Sequence, residues 1–385
     1  MRPGGIVIVG AGPAGLATAR AYREHGGPAE VTMLGKETII PYRRPPLTKE
    51  FLRGELDAGE LSIESRGWFD EHDIQLHLGC EVTAIDPYAG VVHADGHALN
   101  AEMIVLATGA EPIRPELPGL DDSRVQTVRE RPDSERLAAQ ATPGVRSIVL
   151  GTGFIGCELA ASLALRGSQV TLIGQEPAPQ QQRLGADAAA RIALWLTDLD
   201  VTLRMGVEVS AVHNGRIVAL ERDELIEADN VALGMGVRPR SELAEHAGLE
   251  IAEGAVLTDA QMRAHERVLA VGDVAYAHNH QAGRRLRVEH WGDALGQGEI
   301  AGRVLAGEDT QWRDVPGFWS TIGRHTIKYA AWGDGHDTSR LDEHPDGAFT
   351  VWYSREGRLV GALTHNRDGD YEHARELIAA GDSPP

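Results

Sequence analysis

Two glycine-rich segments have the residue types and spacing that hold a phosphate group at the start of a helix. One follows the apolar residues 6–9, and the other follows the apolar residues 148–150. In each, the first glycine suits a tight turn, the second lets a pyrophosphate approach the backbone, and the third lets the helix pack on the strand. The first segment includes Gly10, Gly12, Pro13, Ala14 and Gly15, and the second includes Gly151, Gly153, Phe154, Ile155 and Gly156.

Both segments lie in a strand–turn–helix context. A small residue, Ala19 in one case and Ala160 in the other, comes four positions after the third glycine, as close helix–sheet packing requires. The pair predicts two dinucleotide sites in one polypeptide, most economically one for a flavin and one for a nicotinamide nucleotide.

Composition limits the class of protein. With 385 residues, 42% of them apolar, and 45 glycines, the chain is long enough for two or three domains with full cores. A net charge of −20 argues against nucleic acid or an anionic membrane as the main partner. We expect a cytoplasmic protein, because the first strand starts too early for a signal peptide and no run of about 18 apolar residues occurs.

The cysteines exclude one class of redox centre. Cys80 and Cys157 are far apart and form no Cys-x-x-Cys motif, so neither a redox disulfide nor a cysteine-ligated iron–sulfur cluster is expected within the chain. Sixteen histidines occur, but none has the spacing of a metal site, and no metal is expected.

The order of segments predicts an α/β fold with two Rossmann-like dinucleotide-binding domains, one inserted in the other, and a C-terminal α+β domain. The residues 6–34 and 147–173 each read as a βαβ unit, and an amphipathic helix is expected near 186–199. Glycines and clustered aromatic residues after 312 predict a smaller antiparallel domain. The expected domains are 1–112 with 234–310 for one dinucleotide, 113–233 for the other, and 311–385 at the C-terminus, and the family resemblance described next implies FAD for the first and NAD(P) for the second.

Several motifs together carry a resemblance to a known family. The chain resembles the FAD-dependent NAD(P)H oxidoreductases of the pyridine nucleotide–disulfide reductase fold. Within them it resembles the ferredoxin reductases that serve Rieske dioxygenases and cytochromes P450. The most specific match is Arg-Pro-Pro-Leu-Thr-Lys at 44–49, without the nearby cysteine of the cysteine-dependent relatives. The other matching segments are 8–15, 106–109, 151–158, 234–239, 270–275, 289–291 and 315–320.

The resemblance implies that a hydride passes from NADH or NADPH to FAD and that electrons then pass singly to a [2Fe-2S] ferredoxin. It implies that Lys49 lies near flavin N5 and pairs with Glu158, and that Asp273 binds the ribityl chain. A monomer or a homodimer is expected. The further cofactor-binding residues that it implies are Glu37, Arg44, Val82, Ala107, Thr108, Gly109, Arg114, Gly236, Gly272, Glu289, His290, Trp291 and Trp319.

The sequence departs from the family pattern at positions that bear on specificity. Lys36 precedes Glu37 where relatives carry an aspartate. Gly174 stands where NADH-selective relatives carry an acid that binds the ribose 2′-hydroxyl, Glu176 follows two residues later, and Arg183 is the nearest cation for a 2′-phosphate. The choice between NADH and NADPH therefore stays open.

The electron acceptor is also open. Residues 321–325 read Thr-Ile-Gly-Arg-His, where electron-carrier reductases often have polar Asp-Gln-type residues. One alternative is an oxidoreductase that reduces oxygen, a quinone or a small organic substrate. A second alternative is an NADH-sensing flavoprotein with slow turnover.

Overall fold

The structure is a computed structural model, and it describes residues 5–221 and 224–385. The strands, in chain order, are β1 (Gly5–Val9), β2 (Val31–Gly35), β3 (Ile74–Leu78), β4 (Val82–Asp86), β5 (Val91–Ala94), β6 (His97–Leu106), β7 (Ala110–Pro112), β8 (Val125–Thr127), β9 (Arg146–Leu150), β10 (Gln169–Gly174), β11 (Thr202–Met205), β12 (Val209–His213), β13 (Ile217–Leu220), β14 (Leu225–Glu227), β15 (Asn230–Leu233), β16 (Val237–Pro239), β17 (Ile251–Ala252), β18 (Ala255–Thr258), β19 (Arg263–His265), β20 (Val268–Ala270), β21 (Ala275–Asn279), β22 (Arg284–Arg287), β23 (Gly317–Ile322), β24 (His325–Ala331), β25 (Thr338–Glu343), β26 (Phe349–Arg355) and β27 (Arg358–His365).

The helices are α1 (Pro13–Glu24), α2 (Glu50–Arg53), α3 (Arg66–Glu71), α4 (Arg131–Gln140), α5 (Phe154–Leu165), α6 (Gln181–Thr197), α7 (Glu242–His246), α8 (Trp291–Leu305) and α9 (Asp368–Ala380).

The chain forms two compact units, each built from three segments. The first unit contains the chain up to Arg43, Ser62–Glu111 and Arg238–Phe318. The second unit contains Arg44–Leu61, Pro112–Val237 and Trp319–Pro385. The segment Arg44–Leu61 therefore belongs to the second unit, although its neighbours in sequence belong to the first.

The first unit is organised around a sheet of order β19-β20-β6-β1-β2-β3. The strands from β20 to β3 are parallel, and the four residues 6–9 of β1 are buried, as expected for a parallel strand covered on both faces. β5 pairs with β6 and β4 pairs with β5, both antiparallel. A smaller sheet has the order β17-β18-β21-β22.

Helices α1 and α8 of the first unit pack closely through glycines. A methyl group on Gly302 would lie 2.5 Å from the Thr18 carbonyl oxygen, and one on Gly298 would overlap the Ala14 carbonyl oxygen. The two helix backbones can approach this closely only because both positions lack a side chain.

The second unit contains a parallel sheet of order β11-β10-β9-β15-β8, which carries α5 after β9. The apolar side chains of Ile148, Leu150, Val231 and Leu233 belong to its core. The helix expected at 186–199 starts earlier, with one turn at 181–184 and a break at Gly185, where φ is 75° and ψ is 175°.

The C-terminal part of the second unit is a sheet of order β23-β24-β27-β26-β25, with α9 following β27. The pairs β24–β27, β27–β26 and β26–β25 are antiparallel. The predicted α/β class, with two parallel dinucleotide-type sheets and a C-terminal α+β part, is confirmed.

Candidate functional site

The first glycine loop connects β1 to α1 and leaves space for a ligand at its second glycine. Gly10 has φ of +119°, and a methyl group there would overlap the Ala107 carbonyl oxygen. A methyl group on Gly15 would overlap the Gly10 carbonyl oxygen, so the turn and the helix contact both require glycine. A methyl group on Gly12, by contrast, would meet nothing within 4 Å.

The start of α1 suits an anion. Gly12, the residue before the helix, has no side chain to accept hydrogen bonds from the first turn, and Pro13 occupies the first position, where its missing N–H costs nothing. Backbone N–H groups at such an end attract negative charge. The open space at Gly12 and the uncapped helix start together fit the pyrophosphate of a dinucleotide.

Residues at the ends of neighbouring strands converge on this loop. Ala107 follows β6, and its N–H donates to the Val9 carbonyl oxygen at 2.8 Å. Gly272 follows β20, and a methyl group on it would lie 3.1 Å from Cβ of Ala14. Because β1, β6 and β20 are parallel neighbours, Gly10, Ala107 and Asp273 come to one edge of the sheet.

Side chains and backbone groups fix these turns. The Gly272 N–H donates to Oε1 of the buried Gln297 at 2.9 Å. Thr108 Oγ1 donates to the Arg240 carbonyl oxygen at 2.7 Å, and the Arg240 N–H donates to the Gly109 carbonyl oxygen at 2.9 Å. No sequence motif marks Gln297 as part of this site, because its partner is a backbone group 25 residues away.

Glu37 and Val82 lie on the β2–β3 side of the first unit. Glu37 accepts a hydrogen bond from the Tyr42 hydroxyl at 2.5 Å, and its carbonyl oxygen accepts from the Gly79 N–H. Val82 is the first residue of β4. Lys36 is exposed, and its ammonium lies 2.7 Å from the Glu81 carboxylate.

Glu289, His290 and Trp291 lead into α8. His290 precedes the helix, its Nδ1 lies 3.1 Å from the Asp293 carboxylate, and its ring lies 4.5 Å from that of Phe318. Glu289 pairs with Arg287 at 3.4 Å.

The second glycine loop repeats the geometry in the second unit. Gly151 has φ of +101°, and a methyl group there would lie 2.5 Å from the Gly234 carbonyl oxygen. A methyl group on Gly156 would overlap the Gly151 carbonyl oxygen. Gly153 has an extended backbone, and a methyl group there would make only ordinary contacts, the nearest at 3.7 Å. The second position is again the one with space for a ligand.

Gly234 is a site residue that sequence reasoning missed. A methyl group on it would lie 2.6 Å from the Gly156 Cα atom, so the close approach of β15 to the loop requires glycine there. Gly236 has φ of +93°, and its carbonyl oxygen accepts from the Ile113 N–H at 2.9 Å. The Gly-Met-Gly spacing after an apolar strand was the available signal.

The structure explains the surroundings of Gly174, the position at which the expected ribose-binding acid is absent. A methyl group on Gly174 would lie 2.8 Å from Oγ1 of Thr152 and closer still to its methyl group, so the end of β10 packs against the loop itself. The Glu176 carboxylate accepts a hydrogen bond from the Gln182 N–H at 2.8 Å. Ile155 is 40% exposed, and the exposed Arg183 guanidinium lies 5.8 Å from the ring of Phe154.

Lys49 and Glu158 form a buried ion pair in the second unit. Their side chains are only 6% and 3% exposed, and Lys49 Nζ lies 2.7 Å from Glu158 Oε2. The Thr48 hydroxyl donates to the same oxygen at 2.5 Å, and the Ser320 hydroxyl donates to Oε1 at 2.7 Å. Sequence reasoning named the pair but missed Thr48 and Ser320.

This arrangement keeps two charges out of water. Burying an ion pair is tolerated when additional hydrogen bonds satisfy the charged groups, and both oxygens of Glu158 are satisfied. Ser162 donates to the Thr48 carbonyl oxygen at 2.7 Å and fixes that residue in turn.

Three other proposed site residues, Arg44, Arg114 and Trp319, also lie in the second unit. The Arg44 guanidinium donates to the Arg129 carbonyl oxygen at 2.8 Å. The Arg114 guanidinium donates to the carbonyl oxygens of Leu120 and Val125, which fixes local backbone. Trp319 lies on β23 and is 42% exposed.

Neither cysteine has the environment of a reactive thiol. Burial raises the pKa of Cys80 to about 11, and burial with the nearby Glu158 charge raises the pKa of Cys157 well above its usual range. Both are free. Within residues 5–221 and 224–385, no group of three His, Cys, Asp or Glu side chains is arranged to bind a metal ion. In the same part of the chain, every helix is too short or too polar to span a bilayer.

Comparison with known proteins connects both units to flavoprotein reductases. Residues 4–298 match the family "Pyridine nucleotide-disulphide oxidoreductase", and residues 317–385 match "Reductase C-terminal". Rhodocoxin reductase of Rhodococcus erythropolis is 32% identical over 97% of this chain and 89% of its own length. The ferredoxin–NAD(+) reductase component of the anthranilate 1,2-dioxygenase system of Burkholderia cepacia is 34% identical over 98% of this chain and 95% of its own.

The fold is similar to that of a solved reductase. Putidaredoxin reductase, in its covalent complex with putidaredoxin, superposes with a TM-score of 0.92 at 28% identity, over 98% of this chain and 93% of that one.

Proposed function

Since the chain belongs to the pyridine nucleotide-disulphide oxidoreductase family, we propose that it is an FAD-dependent NAD(P)H reductase whose electron acceptor is a [2Fe-2S] ferredoxin. The similarity to ferredoxin reductase components over nearly the full length supports this acceptor. The observation that carries the proposal is the pair of glycine loops. In each loop a side chain at the first or third glycine would clash with the backbone, whereas the second glycine has open space beside it.

We assign FAD to residues 1–112 and 234–310 and the nicotinamide nucleotide to residues 113–233. Gly12, Pro13, Ala14 and the turn at Asp273 would hold FAD, and Gly153 would admit the pyrophosphate of NAD(P)H. FAD, when bound, accepts a hydride and releases electrons singly. The cytoplasmic location expected from the sequence is part of the same proposal.

The protein's own contribution is binding and electrostatics. The proposed role of Lys49 is to supply positive charge near flavin N5, where reduction makes the ring electron-rich. Glu158 orients the Lys49 ammonium, and Thr48 and Ser320 keep the carboxylate in place. C-terminal residues thus reach this pair through Ser320.

The test starts with the purified protein, which we expect to be yellow with one non-covalent FAD per chain. Anaerobic mixing with NADH and a [2Fe-2S] ferredoxin should bleach the iron–sulfur absorbance catalytically. NADH oxidation that needs oxygen or a quinone but not ferredoxin would favour the first alternative. Flavin reduction without turnover to any acceptor would favour the NADH-sensing alternative.

Two alanine variants separate the proposed sites. Gly12→Ala and Gly153→Ala fit the fold, because a methyl group at either position meets nothing closer than 3.7 Å and neither backbone is left-handed. We expect Gly12→Ala to lose FAD, and Gly153→Ala to retain FAD but require about tenfold more NADH. Gly156→Ala is the control for misfolding, since its methyl group would overlap the Gly151 carbonyl oxygen. Loss of FAD from Gly153→Ala would show that the two sites are wrongly assigned.

A further inference from the structure

Gln180 occupies an unfavourable backbone conformation in the second unit. It precedes α6 with φ of +64° and ψ of 12°, a left-handed conformation that glycine or asparagine adopts more readily. Its side chain forms no capping hydrogen bond to the helix, so capping does not offset this cost. The residue is nevertheless only 4% exposed, so its side chain is directed into the protein.

The amide nitrogen of Gln180 is buried and has no partner among the described residues. Nε2 is shielded from solvent and donates no hydrogen bond to any group in residues 5–221 or 224–385. A buried donor without an acceptor is destabilising, and native proteins rarely retain one without a reason. The carboxylate of Glu176 is already bonded to the Gln182 N–H.

The position of the amide indicates the missing acceptor. A methyl group on Gly153 would lie 3.9 Å from Gln180 Nε2. Gly153 is the glycine of the second loop with space for a ligand, at the uncapped start of α5. The donor therefore borders the space where a pyrophosphate would approach the backbone.

We propose that Gln180 is a nucleotide-positioning residue whose amide donates a hydrogen bond to the pyrophosphate of NAD(P)H. The inference rests on the proposed function, because it takes the second loop as the nicotinamide nucleotide site. The cost of the left-handed backbone and of the unpaired donor is offset when the dinucleotide supplies a phosphate oxygen. Gln180 belongs to the segment after β10 in which the ribose-binding acid is absent, so it provides an anchor at the pyrophosphate instead of the ribose.

The test measures binding of ADP-ribose, which contains the pyrophosphate but lacks the nicotinamide, to the FAD-loaded protein by calorimetry. Gln180→Leu removes the donor at similar size, and Gln180→Glu places a negative charge at the same position. We expect the dissociation constant to rise about tenfold in Gln180→Leu, in line with loss of a hydrogen bond to a charged group, and further in Gln180→Glu. The NADH concentration for half-maximal flavin reduction should rise by the same factor, while the limiting rate stays within about twofold.

Gln180→Gly keeps the test independent of folding, because glycine adopts the left-handed backbone without strain. It should fold and retain FAD, yet bind ADP-ribose as weakly as Gln180→Leu. Unchanged ADP-ribose binding in Gln180→Leu and Gln180→Gly would overturn the role of Gln180 and leave the proposed function intact. Failure of the wild type to bind ADP-ribose at all would overturn the proposed function as well.

Discussion

Lys49, Thr48 and Ser320 surround the Glu158 carboxylate in a buried cluster of the second unit. The ammonium and two hydroxyl groups saturate a carboxylate that is almost entirely out of water. Removing one member of a buried pair leaves an uncompensated charge, which typically costs about 3–5 kcal/mol. Thr48 and Ser320 reduce this cost for Glu158, because their hydroxyl groups remain as donors when Lys49 is removed.

We predict that Lys49→Met lowers the two-electron reduction potential of the bound flavin by about 30 mV or more, equivalent to about 1.4 kcal/mol. The reason is that the electron-rich reduced ring loses its proposed nearest cation. Photoreduction against a reference dye measures the shift. The matched control is Lys36→Met, which removes an exposed lysine paired with Glu81 and should leave the potential unchanged. Equal potentials in wild type and Lys49→Met would place Lys49 away from the ring.

The contact between Gly174 and Thr152 gives a physical reason for the missing ribose-binding acid. Any side chain at position 174 would collide with Thr152 inside the glycine loop. The acid that follows two residues later, Glu176, is bonded to the start of α6. Position 174 therefore cannot supply a ribose-binding acid unless Thr152 also changes.

We predict modest discrimination between the nucleotides, with NADH mildly preferred over NADPH and a ratio of kcat/KM values below about a hundredfold. The interaction missing from this loop is one hydrogen bond to a charged group, which is worth roughly 1.5–3 kcal/mol. Stopped-flow flavin reduction over a concentration series of each nucleotide measures the ratio, and a preference above a hundredfold in either direction contradicts the prediction. Gly174→Glu combined with Thr152→Gly should sharpen the NADH preference about tenfold, with Thr152→Gly alone as the control.

At the scale of elements, α8 packs closely on α1, the helix that follows the first glycine loop. α1 begins at the loop, and α8 supplies Gln297 to the Gly272 turn. The two helices approach through Gly298 and Gly302. A change in the distance between the two helices would therefore alter the proposed FAD site, even where no residue proposed to bind FAD is substituted.

We predict that Gly302→Ala destabilises the protein by about 1–3 kcal/mol, as expected for overpacking, and weakens FAD retention. Gly296→Ala is the matched control in the same helix, since its methyl group meets nothing within 4 Å. The control should be neutral or stabilising by up to about 1 kcal/mol, because alanine favours helix more than glycine does. Thermal unfolding and free-flavin fluorescence report both effects, and equal behaviour of the two variants would refute the packing argument.

At the scale of the whole molecule, histidine burial makes stability depend on pH. His325 stacks on Trp195 with ring centroids 4.5 Å apart, and burial with the nearby His365 lowers the pKa of His325 below 6.5. Burial also lowers the pKa of His336. At a pH between the lowered folded-state pKa and the higher unfolded-state pKa, these histidines bind more protons in the unfolded chain than in the folded one. The free energy of unfolding therefore falls as the pH decreases through this range.

We predict a lower unfolding temperature at pH 5.5 than at pH 7.5, and a smaller difference in His325→Phe, which keeps an aromatic ring against Trp195. Scanning calorimetry at both pH values measures the two differences. His246→Gln is a control, because this histidine lies in α7 of the first unit. An identical pH dependence in wild type and His325→Phe would show that this ring does not contribute.

The amino-acid sequence by itself determined the two glycine loops, their parallel sheets and the family. The reason is local: Gly10 and Gly151 require positive φ, Gly15 and Gly156 require backbone contact, and these demands appear as fixed spacings in the sequence. Lys49 and Glu158 were found only through the resemblance, because nothing local marks a loop lysine as buried.

The tertiary structure alone decided which distant residues complete these sites. Ser320 reaches Glu158 from 162 positions away, and Gln297 accepts a hydrogen bond from the Gly272 N–H across 25 positions. The orphaned amide of Gln180 is visible only when burial and hydrogen bonding are known. Such contacts depend on how elements pack in three dimensions, and packing leaves no fixed spacing in the sequence.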